Sequence, residues 1–282
     1  ILAGVASLVL MTISWAYEVQ ACVVCIPYPT TTHTDLLLKS DTVVLAREDP
    51  AEPYSFAIAR VLKGMATDQP IKLLLGSKTR RSLSLHPNHG VVLYRRDTES
   101  DWELLTYADV EYQKLISYVL VHADEWRARG GARERVAYFS QLLRSAHRTI
   151  RKQAYLEVAQ APYTWIRQIS NAVPREEIRR FLADWRLIEW HRLYILMLGN
   201  SGHPDDRAYI RKQFEGAAQY GISRNLSAWT VAFIESHPES AIEEIEELYF
   251  RRTGRARDEL EAVAQGLSVV TTDSGVLPVP RI

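Results

Sequence analysis

At 282 residues the chain has room for one large domain or two of ordinary size. Hydrophobic residues make up 47% and charged residues 24%, a composition that excludes a disordered chain. Because 34 Lys and Arg balance 34 Asp and Glu, there is no basic surplus to neutralise phosphates, and a general nucleic-acid binder is not expected.

Ile1 to Ala16 is almost wholly apolar, broken only by Gly4, Ser7, Thr12 and Ser14. A helix of that length would span about 24 Å at ~1.5 Å per residue, short of the ~30 Å of a bilayer core. Val19-Gln20-Ala21 then offers an A-x-A-like cleavage position, so residues 1–21 are expected to be a removed signal peptide. An uncleaved anchor is the rival expectation. With neither an initiator Met nor a basic flank before the apolar run, the sequence is expected to belong to a longer reading frame. The mature protein is expected to be exported, to a periplasm, a cell envelope or the medium.

Cleavage after Ala21 would leave Cys22 as the N-terminus, where acylation would tether the chain to a membrane. Gln20 sits where a lipobox carries a small residue. Cys22 and Cys25 are the only cysteines and form a C-x-x-C pair, a spacing that serves redox chemistry, half a metal site or a local disulfide. Thioredoxin-type redox chemistry needs the pair at the start of a helix, whereas Pro27 and Pro29 follow here. Zinc needs two further ligands, and His33 has no partner at a recognisable spacing. In an oxidising compartment a disulfide is the simplest expectation.

From Asp41 to Tyr107 the pattern is short and β-rich. Strands are predicted at Thr42–Ala46, Tyr54–Leu62, Ile71–Leu75, Val91–Tyr94 and Trp102–Leu105, with a polar turn at Asp97–Asp101. Five short antiparallel strands suit a closed or half-closed barrel of OB type. Cys-x-x-Cys-x-Pro, then Ser40-Asp41-x-Val43-Val44, then a strand ending Val61-Leu62-Lys63-Gly64, resembles the N-terminal domain of tissue inhibitors of metalloproteases and netrin-like modules. The resemblance covers about 80 residues. It implies an OB-type fold, and it raises an inhibitor reading in which the amine and carbonyl of Cys22 would grip a protease zinc. The inhibitors have one residue between the cysteines where this chain has two, and they carry further cysteines.

Beyond Asp109 the apolar period changes from two to 3.6. Asp109 is expected to cap a helix running to about Arg129 and stopped by Gly130-Gly131. Val136, Phe139 and Leu143 mark a second. Helices then come in pairs, with Pro162, Pro204 and Pro238 each expected to open the second member at spacings of 42 and 34 residues. Ile150, Ala154 and Val158 are expected to face Ile166 and Ile169. An extra helix is predicted from Pro174 through Trp185, and a last one carries Leu260, Val263 and Leu267. This pattern resembles HEAT-type repeats over Arg133 to Val269, with a compact non-repeating helical domain as the alternative. The expected organisation is therefore α+β and mainly α: a signal peptide at 1–21, a small antiparallel β-barrel at 22–108, a HEAT-like α-solenoid at 109–269 and a mobile tail at 270–282.

No phosphate loop, H-E-x-x-H or G-x-S-x-G motif occurs. His86 and His89 could share a metal, but Pro87 between them points to a solvent-exposed turn. His33 and Asp35 could form a base and its orienting partner, without a nucleophile to serve. Trp185, Trp190, His191 and Tyr194 form an aromatic run that either lines a ligand groove or packs in the core. Basic residues outnumber acidic ones twelve to six between Arg133 and Arg192, and acidic outnumber basic nine to four between Glu235 and Glu261. Solvated helix faces, Glu243–Glu247 included, are the plain reading. Asn225-Leu226-Ser227 is a glycosylation sequon by letter, inside a predicted helix. The sequence thus leads us to expect a non-catalytic exported interaction protein with a protein partner and no cofactor or metal. The alternatives are a metalloprotease inhibitor acting through Cys22 and a hydrolase or redox enzyme.

Overall fold

Thr42-Val43-Val44-Leu45-Ala46 is buried at every position because the strand it forms is covered on both faces. The computed structural model describes residues 31–65, 70–128 and 130–274. The region expected to be a signal peptide, together with Cys22 and Cys25, lies outside the described residues.

Helix α1 (His33–Lys39) precedes β1 (Thr42–Asp49), β2 (Glu52–Lys63), β3 (Ile71–Lys72), α2 (Ser77–Leu85), β4 (Gly90–Arg95) and β5 (Glu103–Ala108). The strands form one antiparallel sheet in the order β3-β2-β1-β4-β5, curled into a half-barrel. Val43, Leu45, Val92 and Tyr94 point to one face and join the core of the helices that follow. Val44, Ala46, Phe56, Ile71, Val91 and Leu93 point to the other and make a smaller second core with Leu75. A period of two within a continuously apolar run is what a sheet buried on both sides requires.

Two short helices in this region have no counterpart among the predicted elements. Helix α1 starts with a capping box: the Thr32 hydroxyl accepts from the Asp35 N–H, and the Asp35 carboxylate accepts from the Thr32 N–H. Helix α2 buries none of its residues, so no apolar stripe marks it in the sequence. The strand expected at Ile71–Leu75 pairs only through Lys72. Beyond it Leu73 donates one more bond to Tyr54 O, Leu74 is exposed, and Leu75 turns inward ahead of Gly76.

The helical part comprises α3 (Val110–Val121), α4 (Ala123–Arg127), α5 (Gly131–Gln141), α6 (Arg148–Ala159), α7 (Tyr163–Gln168), α8 (Arg175–Ala183), α9 (His191–Gly199), α10 (Pro204–Tyr220), α11 (Leu226–Ser236), α12 (Ala241–Ile245) and α13 (Arg257–Ser274). Asp109 caps α3 as expected, accepting from the Tyr112 N–H at 2.9 Å. The single helix expected to run to Arg129 is interrupted at His122, whose ring Nδ1 lies 2.9 Å from the Tyr118 carbonyl and competes with the backbone for it. Pro204 occupies the first helical turn, Pro162 is one residue earlier at the cap, and Pro238 lies in a turn before α12 rather than opening it. Helix α13 continues to Ser274, into the stretch expected to be tail.

Packing runs between both consecutive and alternate helices. Helix α11 contacts α9, α10 and α13, and α9 also contacts α6, α7 and α8. Two glycines permit the close approaches. A Cβ on Gly199 would lie 2.8 Å from Ala232 Cα, and one on Gly266 would lie 2.7 Å from both Ser227 O and Thr230 Cβ. Ile150, Ala154 and Val158 share one core with Ile166 and Ile169, as expected of a pair, but the main packing is elsewhere: α6 packs on α5 and α9, while α7 packs on α9 and α13. With six residues, about 9 Å, α7 is too short to cover the stripe of α6.

Candidate functional site

Three basic side chains lie on one face of α6 at i, i+3 and i+4: Arg148, Arg151 and Lys152, all exposed. Tyr155, one turn further on, closes the floor of a groove beneath them. Its far wall comes from Phe181 of α8, from Leu187 and Trp190 in the 3-10 turn Trp185–Trp190, and from Tyr194 of α9. The rings interlock: Tyr155 meets Trp190 edge-on at 4.7 Å between centroids, and Phe181 meets Tyr194 at 4.4 Å.

The groove encloses about 230 Å³. No acidic residue lines it, and neither Arg148 nor Lys152 has an ion-pair partner among the described residues. Arg151 donates through Nη1 to the Ser145 carbonyl at 2.6 Å, which fixes one arm of its guanidinium and leaves its charge without a carboxylate among the described residues. Glu177 of α8 is taken by Arg144 at 2.8 Å. Burial pushes the Tyr194 phenol up to about 12, so it stays neutral. Flat apolar walls under a cationic rim suit recognition of an anion that carries an apolar group.

Of the aromatic run in the sequence, Trp190 and Tyr194 reach this groove. Trp185 is 77% exposed and apart from it. His191 is buried behind it, its Nε2 donating to Asp184 O at 3.1 Å and its pKa lowered by burial. Tyr155 and Phe181 arrive from distant segments that the local spacing could not connect.

The other candidates disperse. His33 and Asp35 do not pair. The Tyr112 hydroxyl meets His33 Nδ1 at 2.6 Å, and burial, with Lys152 nearby, lowers the imidazole to about 4. Asp35 faces Arg135 at 2.9 Å; burial alone would raise its carboxyl, but Arg135 and Thr32 hold it below the usual carboxylate range. Arg135 also donates through Nε to Glu157 at 2.6 Å, a carboxyl that burial pushes up against the pull of the guanidinium. Together with Lys63 of β2 and Arg127 of α4, which donate to the last carbonyls of α1, these contacts anchor residues 32–40 to both the sheet and the helices. They are structural ties.

His86 and His89 bracket the turn before β4 with stacked rings 4.6 Å apart, and His89 Nδ1 bonds the Tyr107 hydroxyl. Among the described residues no group of three His, Cys, Asp or Glu converges to hold a metal ion. The acidic run is neutralised locally: Glu244 takes a bidentate bond from Arg211, and Glu246 and Glu247 share Arg251. Asn225 is at the start of α11 rather than within it, in the left-handed region (φ 58°), with its amide donating to Ile188 O and accepting from Arg192. Buried and bonded at both ends, it is a lock between α9 and α11. No helix among the described residues is long and apolar enough to cross a membrane.

No family model, curated protein or solved structure matches the chain.

Proposed function

We propose that this is an exported, non-catalytic interaction protein that holds an acidic segment of a partner protein in the groove between α6, α8 and α9. The observation that carries the reading is the unneutralised trio Arg148, Arg151 and Lys152 set over four interlocked aromatic rings. At about 230 Å³ the groove is smaller than the roughly 300–1,000 Å³ of typical small-molecule sites. It suits one large side chain of a peptide, with acidic neighbours reaching the basic rim.

The architecture supports the same reading. Alternate helices α9, α11 and α13 pack side by side, as in a HEAT-like stack that offers an extended surface to partners. The β unit has the strand number and partial opening of an OB-type barrel, in line with the netrin-like resemblance. Export rests on the apolar run Ile1 to Ala16 and the C-x-x-C pair. Acylation of Cys22 would add a membrane tether.

The test is fluorescence anisotropy with a labelled peptide in which a central Phe is flanked by Asp and Glu. Saturable binding is expected, weakened at least ~10-fold (about 1.4 kcal/mol) by Arg148→Glu with Lys152→Glu, and also by Trp190→Ala. A peptide with Lys in place of the acids is expected not to bind. Equal binding of the two peptides, or binding indifferent to the charge reversal, rejects the reading.

A further inference from the structure

A larger cavity, about 740 Å³, opens on the β unit between the β1–β2 turn and α2. It shares no lining residue with the groove on the helices. Three guanidinium groups border it: Arg47 from β1, and Arg80 and Arg81 from α2.

Arg80 is the fixed member. Its Nε donates to Glu48 Oε1 at 2.7 Å, and its guanidinium lies 4.2 Å from the centroid of the Tyr54 ring. The same Glu48 oxygen accepts the Tyr54 N–H at 2.9 Å. Tyr54 itself adopts φ 65°, a backbone region that a residue with a side chain rarely occupies, and such strain gathers at ligand clamps. Glu48, Tyr54 and Arg80 therefore form one pre-set unit in which Nε is spent and the Nη edge of the fork is left for a ligand.

Arg47 and Arg81 are exposed and have no carboxylate partner among the described residues. Glu48 is committed to Arg80, and Asp49 accepts the Ala51 N–H at 2.8 Å within its own turn. Asp49 keeps its charge, so the three arginines and two acids of the lining leave a net +1, with Arg47 and Arg81 outside any ion pair among the described residues and Arg80 in fixed orientation. The rest of the wall is mostly apolar, with Pro50, Pro53, Leu83 and Pro87 suited to the body of a ligand, and Ser84 and His89 beside them able to bond its hydroxyls. A lone inorganic ion would leave most of 740 Å³ unfilled, whereas that volume falls within the roughly 300–1,000 Å³ of small-molecule sites.

We propose that this cavity binds a sugar-sized ester carrying two or more phosphate or sulfate groups, held by Arg47, Arg80 and Arg81. The ester oxyanions take the guanidinium forks, and the carbon skeleton packs on the prolines and Leu83. The site is independent of the peptide groove, so either stands if the other fails.

Isothermal titration of the full chain at low salt, with glucose 1,6-bisphosphate and with a disulfated disaccharide as probes and the neutral sugars as controls, tests this. At least one ester is expected to bind saturably, with the affinity falling as salt rises. Arg47→Ala with Arg81→Ala, both exposed and so compatible with a wild-type melting temperature, is expected to weaken that ester at least ~10-fold. Arg80→Lys, which keeps the charge and loses the fork, is expected to weaken it as well. Which ester binds decides between phosphate and sulfate. The proposal is overturned if neither ester binds more tightly than its neutral control, or if the double variant binds like wild type. Wild-type affinity in Arg80→Lys would overturn the assigned role of Arg80.

Discussion

His147 Nε2 lies 2.7 Å from Asp109 Oδ2, and each of the two residues is at the same time the N-cap of a different helix. Asp109 Oδ1 accepts from Tyr112 at the start of α3, and His147 Nδ1 accepts from Ile150 at the start of α6. These two acceptor roles fix the imidazole with Nδ1 bare and Nε2–H donating to Asp109. The junction where β5 gives way to helix is thereby tied to α6, and burial of Asp109 is outweighed by the Tyr112 N–H and His147, which lower its carboxyl.

Replacing His147 with Ala removes a cap and a charge-assisted bond together. The cap accounts for about 1 kcal/mol and the bond to a carboxylate for about 1.5 kcal/mol, so His147→Ala is expected to cost roughly 2–3 kcal/mol in urea unfolding. Asn restores the cap without reaching Asp109, so His147→Asn is expected to recover about 1 kcal/mol of that loss. Equal midpoints for the two variants would show that the cap contributes nothing.

His33 makes stability depend on pH above the carboxylate range. Its folded pKa of about 4 lies below the unfolded value of 6.5, so the unfolded chain binds the extra proton first as pH falls. The stability it contributes is complete above pH 6.5 and is lost progressively down to about pH 4, by at most roughly 3 kcal/mol. His33→Gln removes this titration and keeps an acceptor for Tyr112. Unfolding free energies at pH 7 and pH 4.5 should therefore converge in the variant compared with wild type. A pH dependence unchanged by the substitution would exclude His33 as its source.

The strands and the groove were legible to different degrees, for physical reasons. Val43 to Ala46 announced a strand because burial on both faces leaves no polar position, and Asp109 announced a helix start because a carboxylate before an apolar period satisfies exposed amides. Ser77 to Leu85 announced nothing, since α2 buries no residue and so imposes no period. Trp190 and Tyr194 were visible at helical spacing, but Tyr155 and Phe181 join them only through the packing of α6 and α8 on α9. Arg148, Arg151 and Lys152 read as a solvated face because nothing local distinguishes an unneutralised cation from a paired one.

Two glycines in helices that both pack on α11 should respond to the same change with opposite signs. Gly216 in α10 has open space where a Cβ would lie, so Gly216→Ala is expected to gain about 0.5–1 kcal/mol from helix propensity. At Gly266 the added Cβ would sit 2.7 Å from Ser227 O and Thr230 Cβ, so Gly266→Ala is expected to lose about 1–3 kcal/mol as α13 is pushed from α11. Thermal melts of the pair decide it. A stabilised Gly266→Ala would show that the contact between α11 and α13 at this glycine does not limit their approach.

Asp206 ties α8 to α10 and should set part of the acid sensitivity. Its carboxylate is fully buried and accepts from Arg175 at 2.7 and 3.0 Å, from Arg179 at 3.2 Å and from Ser201 at 2.9 Å. Burial alone would raise it, but these donors together hold it below the usual carboxylate range. The sign follows: a depressed folded pKa contributes stability that is complete above about pH 4 and is lost as pH falls further through the folded value. Removing a partner from a fully buried pair costs about 3–5 kcal/mol, but the arginine side chains keep 31% and 32% exposure and can rehydrate. Asp206→Asn is therefore expected to cost about 2–3 kcal/mol at pH 7 and to lose less than wild type between pH 4 and pH 2. A double-mutant cycle with Arg179→Ala separates the contacts, and a coupling near zero would leave Arg175 and Ser201 as the tie between the two helices.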